Sequence, residues 1–116
     1  MREQRERDND CLYRILDYCD RIDAAKERYG DSYESFSQDA DFRDVIKMNL
    51  FQIGENANLL SEECKEKLSV IPWHQVVGMR NMIAHAYVKI DDRIIWNTVQ
   101  DDIAVMRKEI NKAGIV

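Results

Sequence analysis

The stretch ADFRDVIKMNLFQIGENANLLS, residues 40–61, decides the fold. Phe42, Val45, Ile46, Ile53, Ala57 and Leu60 recur at helical spacing, which predicts one amphipathic helix over these residues. Met48, Phe51 and Leu59 trace a second apolar stripe, and its middle place is taken by Glu55. An acid inside an apolar stripe is costly unless it is paired or wet, so Glu55 calls for a partner or an interface cleft. Arg80, of the same or a second chain, is the expected partner. Gly54 beside it would let another backbone approach closely, although a tolerated helix glycine is the plainer reading.

Working outward, Leu12, Ile15, Leu16, Cys19, Ile22 and Ala25 predict a helix over about 8–28, stopped by Gly30. The stretch DSYESFSQ, residues 31–38, reads as a loop with room for one turn, and Ser37 or Asp39 is placed to cap the helix beginning at Ala40. After the polar linker SEECKEK a third helix should start around 69–73, with Pro72 in its first turn, and run to about 85. Trp73, Val76, Val77, Arg80, Ala84 and Tyr87 fall on one side of it. Asp91 and Asp92 cap a fourth helix over 92–112, carried by Ile95, Val99, Ile103, Met106 and Ile110 and ended by Ala113-Gly114. These elements predict an all-α protein, an antiparallel up-and-down four-helix bundle with room for an extra short helix, forming a single domain over 1–116. The two apolar stripes of the second helix exceed what a small bundle needs and point to a homodimer; the alternative is that both stripes pack internally.

Composition agrees. With 116 residues the chain fits one core, and 34% charged with 45% hydrophobic residues is the balance of a soluble globular protein. Four Gly and one Pro are too few to punctuate a sandwich or barrel. A net charge of −5 argues against coating nucleic acid through bulk charge but leaves room for a local site. Cys11 and Cys19 stand eight residues apart in one predicted helix, about 12 Å along its axis and beyond disulfide reach, which with an odd cysteine count suggests a reduced, cytoplasmic chain. No run approaches the roughly 18 apolar residues of a membrane span, and MREQRERDND lacks the apolar core of a signal peptide, so neither a membrane nor export is expected.

Between Lys67 and Ile90 there is no Asp or Glu, while Lys67, Arg80 and Lys89 are present. Burial alone would account for such a depletion. The segment RNMIAHAY, Arg80 to Tyr87, adds a permanent cation, an amide, an imidazole and a phenol within two turns. That set suits metal-free phosphodiester chemistry on RNA, which needs proton transfer at the 2′-OH and the leaving oxygen and a cation on the charged phosphorane. Five residues of helix turn about 140° and rise about 7.5 Å, so Arg80 and His85 of one chain do not meet at one atom. Either the helix ends near His85 or two copies face each other. A purely structural account of the same residues pairs Arg80 with Glu55 and places His85 at a helix C-terminus, where its cation is favoured. His74 and His85 lie about 16 Å apart along a straight helix and cannot share a metal within one chain. Cys64 carries no nucleophile signature, the glycines form no phosphate loop, and no metal or other cofactor is expected.

The run Arg80, Asn81-Met82-Ile83-Ala84, His85, Ala86, Tyr87, with IGENANLLS around Glu55, IPWHQVVGMRN leading into it and a helix opening after DDRIIW, resembles the HEPN superfamily and, more closely, the HepT-like ribonuclease toxins. The resemblance covers about residues 39–96. It implies a helical homodimer whose two Arg-x4-His motifs line a shared cleft and cut RNA without metal, with Arg80 and His85 as the catalytic pair. Asn81 would support the phosphate or the base, and Glu55 is a second supporting residue. It also implies a toxin-antitoxin pair in which a minimal nucleotidyltransferase neutralises the toxin by adenylylating Tyr87, with a higher hetero-oligomer as one form of the complex. The family often carries Arg after the Pro-Trp pair, where this chain has His74. The alternative is a non-catalytic accessory subunit of a nucleotidyltransferase that holds nucleotide in the same cleft. A purely structural bundle would explain the apolar faces but not the loss of acids around the motif.

Overall fold

A computed structural model describes residues 2–114. Six helices follow one another, with no strand among the described residues: α1 Arg2–Tyr29, α2 Tyr33–Gln38, α3 Ala40–Leu59, α4 Glu62–Lys67, α5 Trp73–Ala86 and α6 Asp92–Lys112. The expected all-α bundle is present, and two short helices accompany the four long ones.

Three registers set the topology. Along α1 and α3, Asp8 meets Ser61 just past the end of α3 and Tyr29 stacks on Phe42, so the two helices run antiparallel. Along α3 and α5, Lys47 reaches Tyr87 while Gly54 faces Arg80 and Val76, again antiparallel. Along α1 and α6, Lys26 lies over the Trp96 ring while Arg107 pairs with Asp20 and Asp23. The 46 Å long axis suits α1, whose 28 residues span about 42 Å at 1.5 Å each.

Each long helix forms for a reason visible in its own residues. Leu12, Ile15, Cys19, Ile22 and Ala25 make the buried stripe of α1, which starts before the expected residue 8 because charged, helix-favouring residues 2–7 extend it. Gly30 ends it at φ +115°, a conformation that L side chains rarely adopt. Asp39 caps α3 by accepting from the backbone N–H groups of Asp41 and Phe42 at 2.9 and 3.2 Å. Asp91 caps α6 by accepting from the N–H of Arg93, and the span of α6 is the expected one.

Two stretches read as loop or linker are helical instead. Ser32 accepts from the N–H of Ser35 and starts α2, which drives Phe36 fully into the core against Phe42 and Trp96 at ring separations of 5.5 and 5.2 Å. Ser61 accepts from the N–H of Cys64 and starts α4; its own N–H and hydroxyl both donate to the buried carboxylate of Asp8. Helices of six residues show no periodicity, which is why their apolar pattern gave no sign of them. Pro72 sits at the N-cap of α5, one place before the helical turn expected for it. Among the described residues no buried side-chain polar atom lacks a partner, and none of the helices is long and apolar enough to cross a membrane.

Candidate active site

The site begins with a missing side chain. A Cβ built on Gly54 would stand 2.2 Å from the Cβ of Arg80 and 3.2 Å from the carbonyl oxygen of Val76, closer than packed atoms allow. Gly54 is therefore the contact on which α3 and α5 cross, and the plainer reading of a merely tolerated helix glycine is wrong. Close approach at this point places Arg80 against the neighbouring Glu55. The Arg80 Nε donates to Glu55 Oε1 at 2.5 Å, its Nη1 donates to Asn81 Oδ1 at 3.0 Å, and its guanidinium carbon lies 5.1 Å from the centre of the Phe51 ring. Nη2 has no hydrogen-bond partner among the described residues. Both charged side chains remain partly exposed, at 30% for Arg80 and 40% for Glu55, so the pair adds little stability and instead fixes the plane of the cation.

The same helix carries His85 in its last turn, exposed to solvent. Because α5 stays helical through Ala86, His85 leaves the helix about 140° around from Arg80. Within one chain the two side chains do not converge. The buried side of α5 also differs from the expected one: Trp73, Val76, Met79 and Ile83 face the core, Val77 is half-buried, and Ala84 and Tyr87 are exposed. A fourteen-residue helix offers two stripes about 55° apart, and the crossing at Gly54 selects the one that puts Arg80 toward its edge.

Tyr87 caps the C-terminus of α5 and faces α3, as Arg80 does. Its hydroxyl donates to Asp44 Oδ1 at 2.6 Å, and its carbonyl accepts from the Nζ of Lys47 at 2.9 Å. The Lys47 ammonium also lies 4.7 Å from the centre of the Tyr87 ring. Burial, then the hydrogen bond and charge of Asp44, push the phenol up to about 12. Asp44 and Lys47 were missed by sequence reasoning. Lys47, buried between Ile46 and Met48 on an apolar helix, is the same kind of anomaly as Glu55 and was the available signal; Asp44 is exposed and offered none.

Tyr87 borders an open groove of about 640 Å³ between α1 and α3, whose walls include Tyr18, Arg21, Asp44, Met48 and Gln52. Met48 and Leu59, the ends of the second α3 stripe, are 55% and 65% exposed, while Phe51 between them is partly buried under Arg80, so only the two ends of that stripe lack a covering among the described residues. His74 borders a separate groove beside Trp73, eleven residues from His85. Burial pushes the Cys64 thiol up to about 11, which leaves it protonated and unreactive at neutral pH. Among the described residues no three His, Cys, Asp or Glu side chains cluster as metal ligands would.

A family model described as ribonuclease HepT-like matches residues 15–113. The chain is similar to "Putative RNase TTE0752" of Caldanaerobacter subterraneus subsp. tengcongensis, 33% identical over 102 residues that cover 87% of this chain and 88% of that one. It is similar to "Putative RNase MJ1380" of Methanocaldococcus jannaschii, 29% identical with 65% and 77% covered, and to "Probable ribonuclease HepT" of Thermococcus cleftensis, 30% identical with 69% and 73% covered. No solved structure matches it. With a family model spanning most of its length and a relative one-third identical along nearly all of it, the chain belongs to the HepT-like ribonuclease family.

Proposed function

We propose that the chain is a metal-independent endoribonuclease toxin that acts as a homodimer, with Arg80 and His85 as its catalytic pair. The observation that carries this reading is the setting of Arg80: Glu55, Asn81 and Phe51 hold its guanidinium in one plane, while Nη2 stays open to a phosphate. In the reaction the ribose 2′-oxygen attacks the adjacent phosphorus, the bond from phosphorus to the 5′-oxygen breaks, and a cyclic phosphate and a free 5′-hydroxyl result. His85 moves protons between these oxygens, and Arg80 holds the extra negative charge of the phosphorane. Asn81 steadies Arg80 and lies beside the scissile group.

A single chain turns Arg80 and His85 to different sides of α5, and a second copy brings its own His85 or Arg80 to the cleft. The exposed stripe of Met48 and Leu59 next to Glu55 is the surface available for that contact. In this reading a minimal nucleotidyltransferase is the antitoxin and adenylylates Tyr87. The modified residue would add negative charge and bulk near the cleft, and both oppose RNA.

The test is RNA cleavage in the presence of a chelator. Wild type should cut at full rate, whereas Arg80→Ala and His85→Ala should each lose about 10²- to 10⁴-fold. Light scattering should give about twice the 13.7 kDa chain mass. An absolute need for a divalent ion, or a monomer that cuts RNA, contradicts the mechanism. Nucleotide binding with no cleavage would instead select the accessory-subunit reading.

A further inference from the structure

We propose that Asp44 is the proton acceptor for Tyr87 when the phenol attacks the α-phosphorus of a nucleoside triphosphate that the nucleotidyltransferase brings to the α1–α3 groove. This rests on the adenylylation reading above and adds to it a residue and a route. The hydroxyl of Tyr87 donates to Asp44 Oδ1 at 2.6 Å, so its proton already lies on the path to a carboxylate while its oxygen lone pairs stay free to face an electrophile. Lys47 grips the other end of the residue through the Tyr87 carbonyl and covers the ring, which holds the phenol in place beside the groove.

The groove supplies the access. It is open, about 640 Å³ in volume, and Tyr18, Arg21, Met48 and Gln52 share its walls with Asp44 and Tyr87. Arg21, whose guanidinium lies 5.4 Å from the centre of the Tyr18 ring, is the cation on the α1 wall, and among the described residues it pairs only with the solvent-exposed Asp17. An aromatic ring, a guanidinium and amide side chains are the groups that receive a nucleotide base and its phosphates.

A carboxylate is needed here because the phenol is a poor nucleophile at rest. Even at an ordinary tyrosine's value of about 10, about one molecule in 10³ would carry phenolate at pH 7, and burial of Tyr87 lowers that share further. Asp44 removes the need for prior ionisation. As the bond from Tyr87 Oη to the α-phosphorus forms, the α,β-bridging P–O bond breaks, its electron pair leaves with pyrophosphate, and the phenolic proton passes to Asp44 and then to water. The product no longer has a hydroxyl to donate, and its phosphodiester charge lies near both the Asp44 carboxylate and the Arg21 cation.

The experiment tracks the rate of adenylylation at Tyr87 by intact mass, between pH 6.5 and 9.5. It uses the whole chain, ATP, magnesium and a minimal nucleotidyltransferase of the antitoxin class. Tyr18 and Arg21 on α1, and Asp44 and Lys47 on α3, are the titratable groups around the reacting phenol; the comparison changes only Asp44. Wild type should be labelled at a rate little affected by pH, whereas Asp44→Asn should be at least about 10²-fold slower and gain about tenfold per pH unit as phenolate forms. Asp44→Glu should recover most of the rate. Asp44 is exposed, and an unchanged melting temperature checks the fold of each variant. Equal rates and profiles for wild type and Asp44→Asn would overturn the role of Asp44 and leave adenylylation standing. A slow variant with the wild-type pH profile would reduce Asp44 to a positioning residue and overturn the proton transfer. Labelling of Tyr87→Phe at the wild-type rate, or no labelling of wild type, would remove the adenylylation reading and this proposal with it.

Discussion

The aromatic corner and the α3–α5 crossing share α3, yet they are built on opposite principles. In the corner Tyr29 stacks on Phe42 at 5.1 Å, and Phe36 and Trp96 close around them ring against ring, with Arg28 and Lys26 lying over the Tyr29 and Trp96 rings. At the crossing a glycine, an ion pair and a buried lysine replace that apolar packing. Removal of apolar area from water makes the corner a source of stability that tolerates no loss of volume. The crossing adds little net stability, because its charges stay partly wetted, and spends its contacts on orientation. Stability and function should therefore separate when each region is disturbed alone.

The largest effect should come from the corner. Phe36→Ala removes a fully buried ring and should cost about 3–5 kcal/mol, lowering the melting temperature by roughly 10 °C or more. Cleavage per folded molecule should stay near wild type, measured at a temperature where both proteins are folded. Activity lost in proportion to nothing but the fold would support the separation; a cleavage defect in fully folded protein would break it.

The two helical glycines give a sharper contrast. By helix propensity alone, Gly→Ala at either place should stabilise by roughly 0.5–1 kcal/mol. Gly78, on α5, has nothing within 4 Å of an added Cβ, so Gly78→Ala should show that gain. At Gly54 the added carbon meets the Arg80 Cβ at 2.2 Å, and overpacking should reverse the sign to a loss of about 1–3 kcal/mol. Because the displaced residue is Arg80, cleavage should fall by about 10²-fold as well. Melting shifts of opposite sign, with activity lost only in Gly54→Ala, are the expected result; a stabilised and active Gly54→Ala would mean the helices cross elsewhere.

The two regions also differ in how they could be read from sequence. Long apolar stripes with a cap at the start, such as Ile95 to Ile110 behind Asp91, define a helix through many independent positions, and α6 has the expected bounds. Phe36 lies in a helix of six residues, where only the cap at Ser32 marks the start, so its place in the core was hidden. At the crossing Glu55 was legible because a charge on an apolar stripe demands a partner, and that partner is Arg80. The setting of Tyr87 was not legible. Its contacts with Asp44 and Lys47 bridge 43 and 40 residues, and which side of α5 turns inward is decided by packing at Gly54, not by the helix's own pattern.

The smallest effect concerns pH, and it tests the polar end of the crossing without a change of packing. Tyr87 is held protonated in the fold, first by burial and then by its hydrogen bond to Asp44 and that carboxylate's charge, which push the phenol up to about 12 from an ordinary 10. For a group whose folded value is raised, the stability it contributes is complete below the unfolded value and fades as pH climbs through the folded one. The loss should therefore fall between about pH 10 and 12, and it should be modest because the residue is 37% exposed. The chain has five tyrosines, so the measurement is a difference: ultraviolet titration of wild type minus that of Tyr87→Phe isolates one phenol. That phenol should ionise about two pH units above an ordinary tyrosine, and in Asp44→Asn it should move part of the way back, since burial remains while the carboxylate is gone. The Phe and Trp rings of the corner have no proton to lose in this range, so Phe36→Ala should leave the Tyr87 titration in place. A Tyr87 signal centred near pH 10 in the folded wild type would mean that Asp44 does not hold the hydroxyl, and the tie between the end of α5 and α3 would then rest on Lys47 alone.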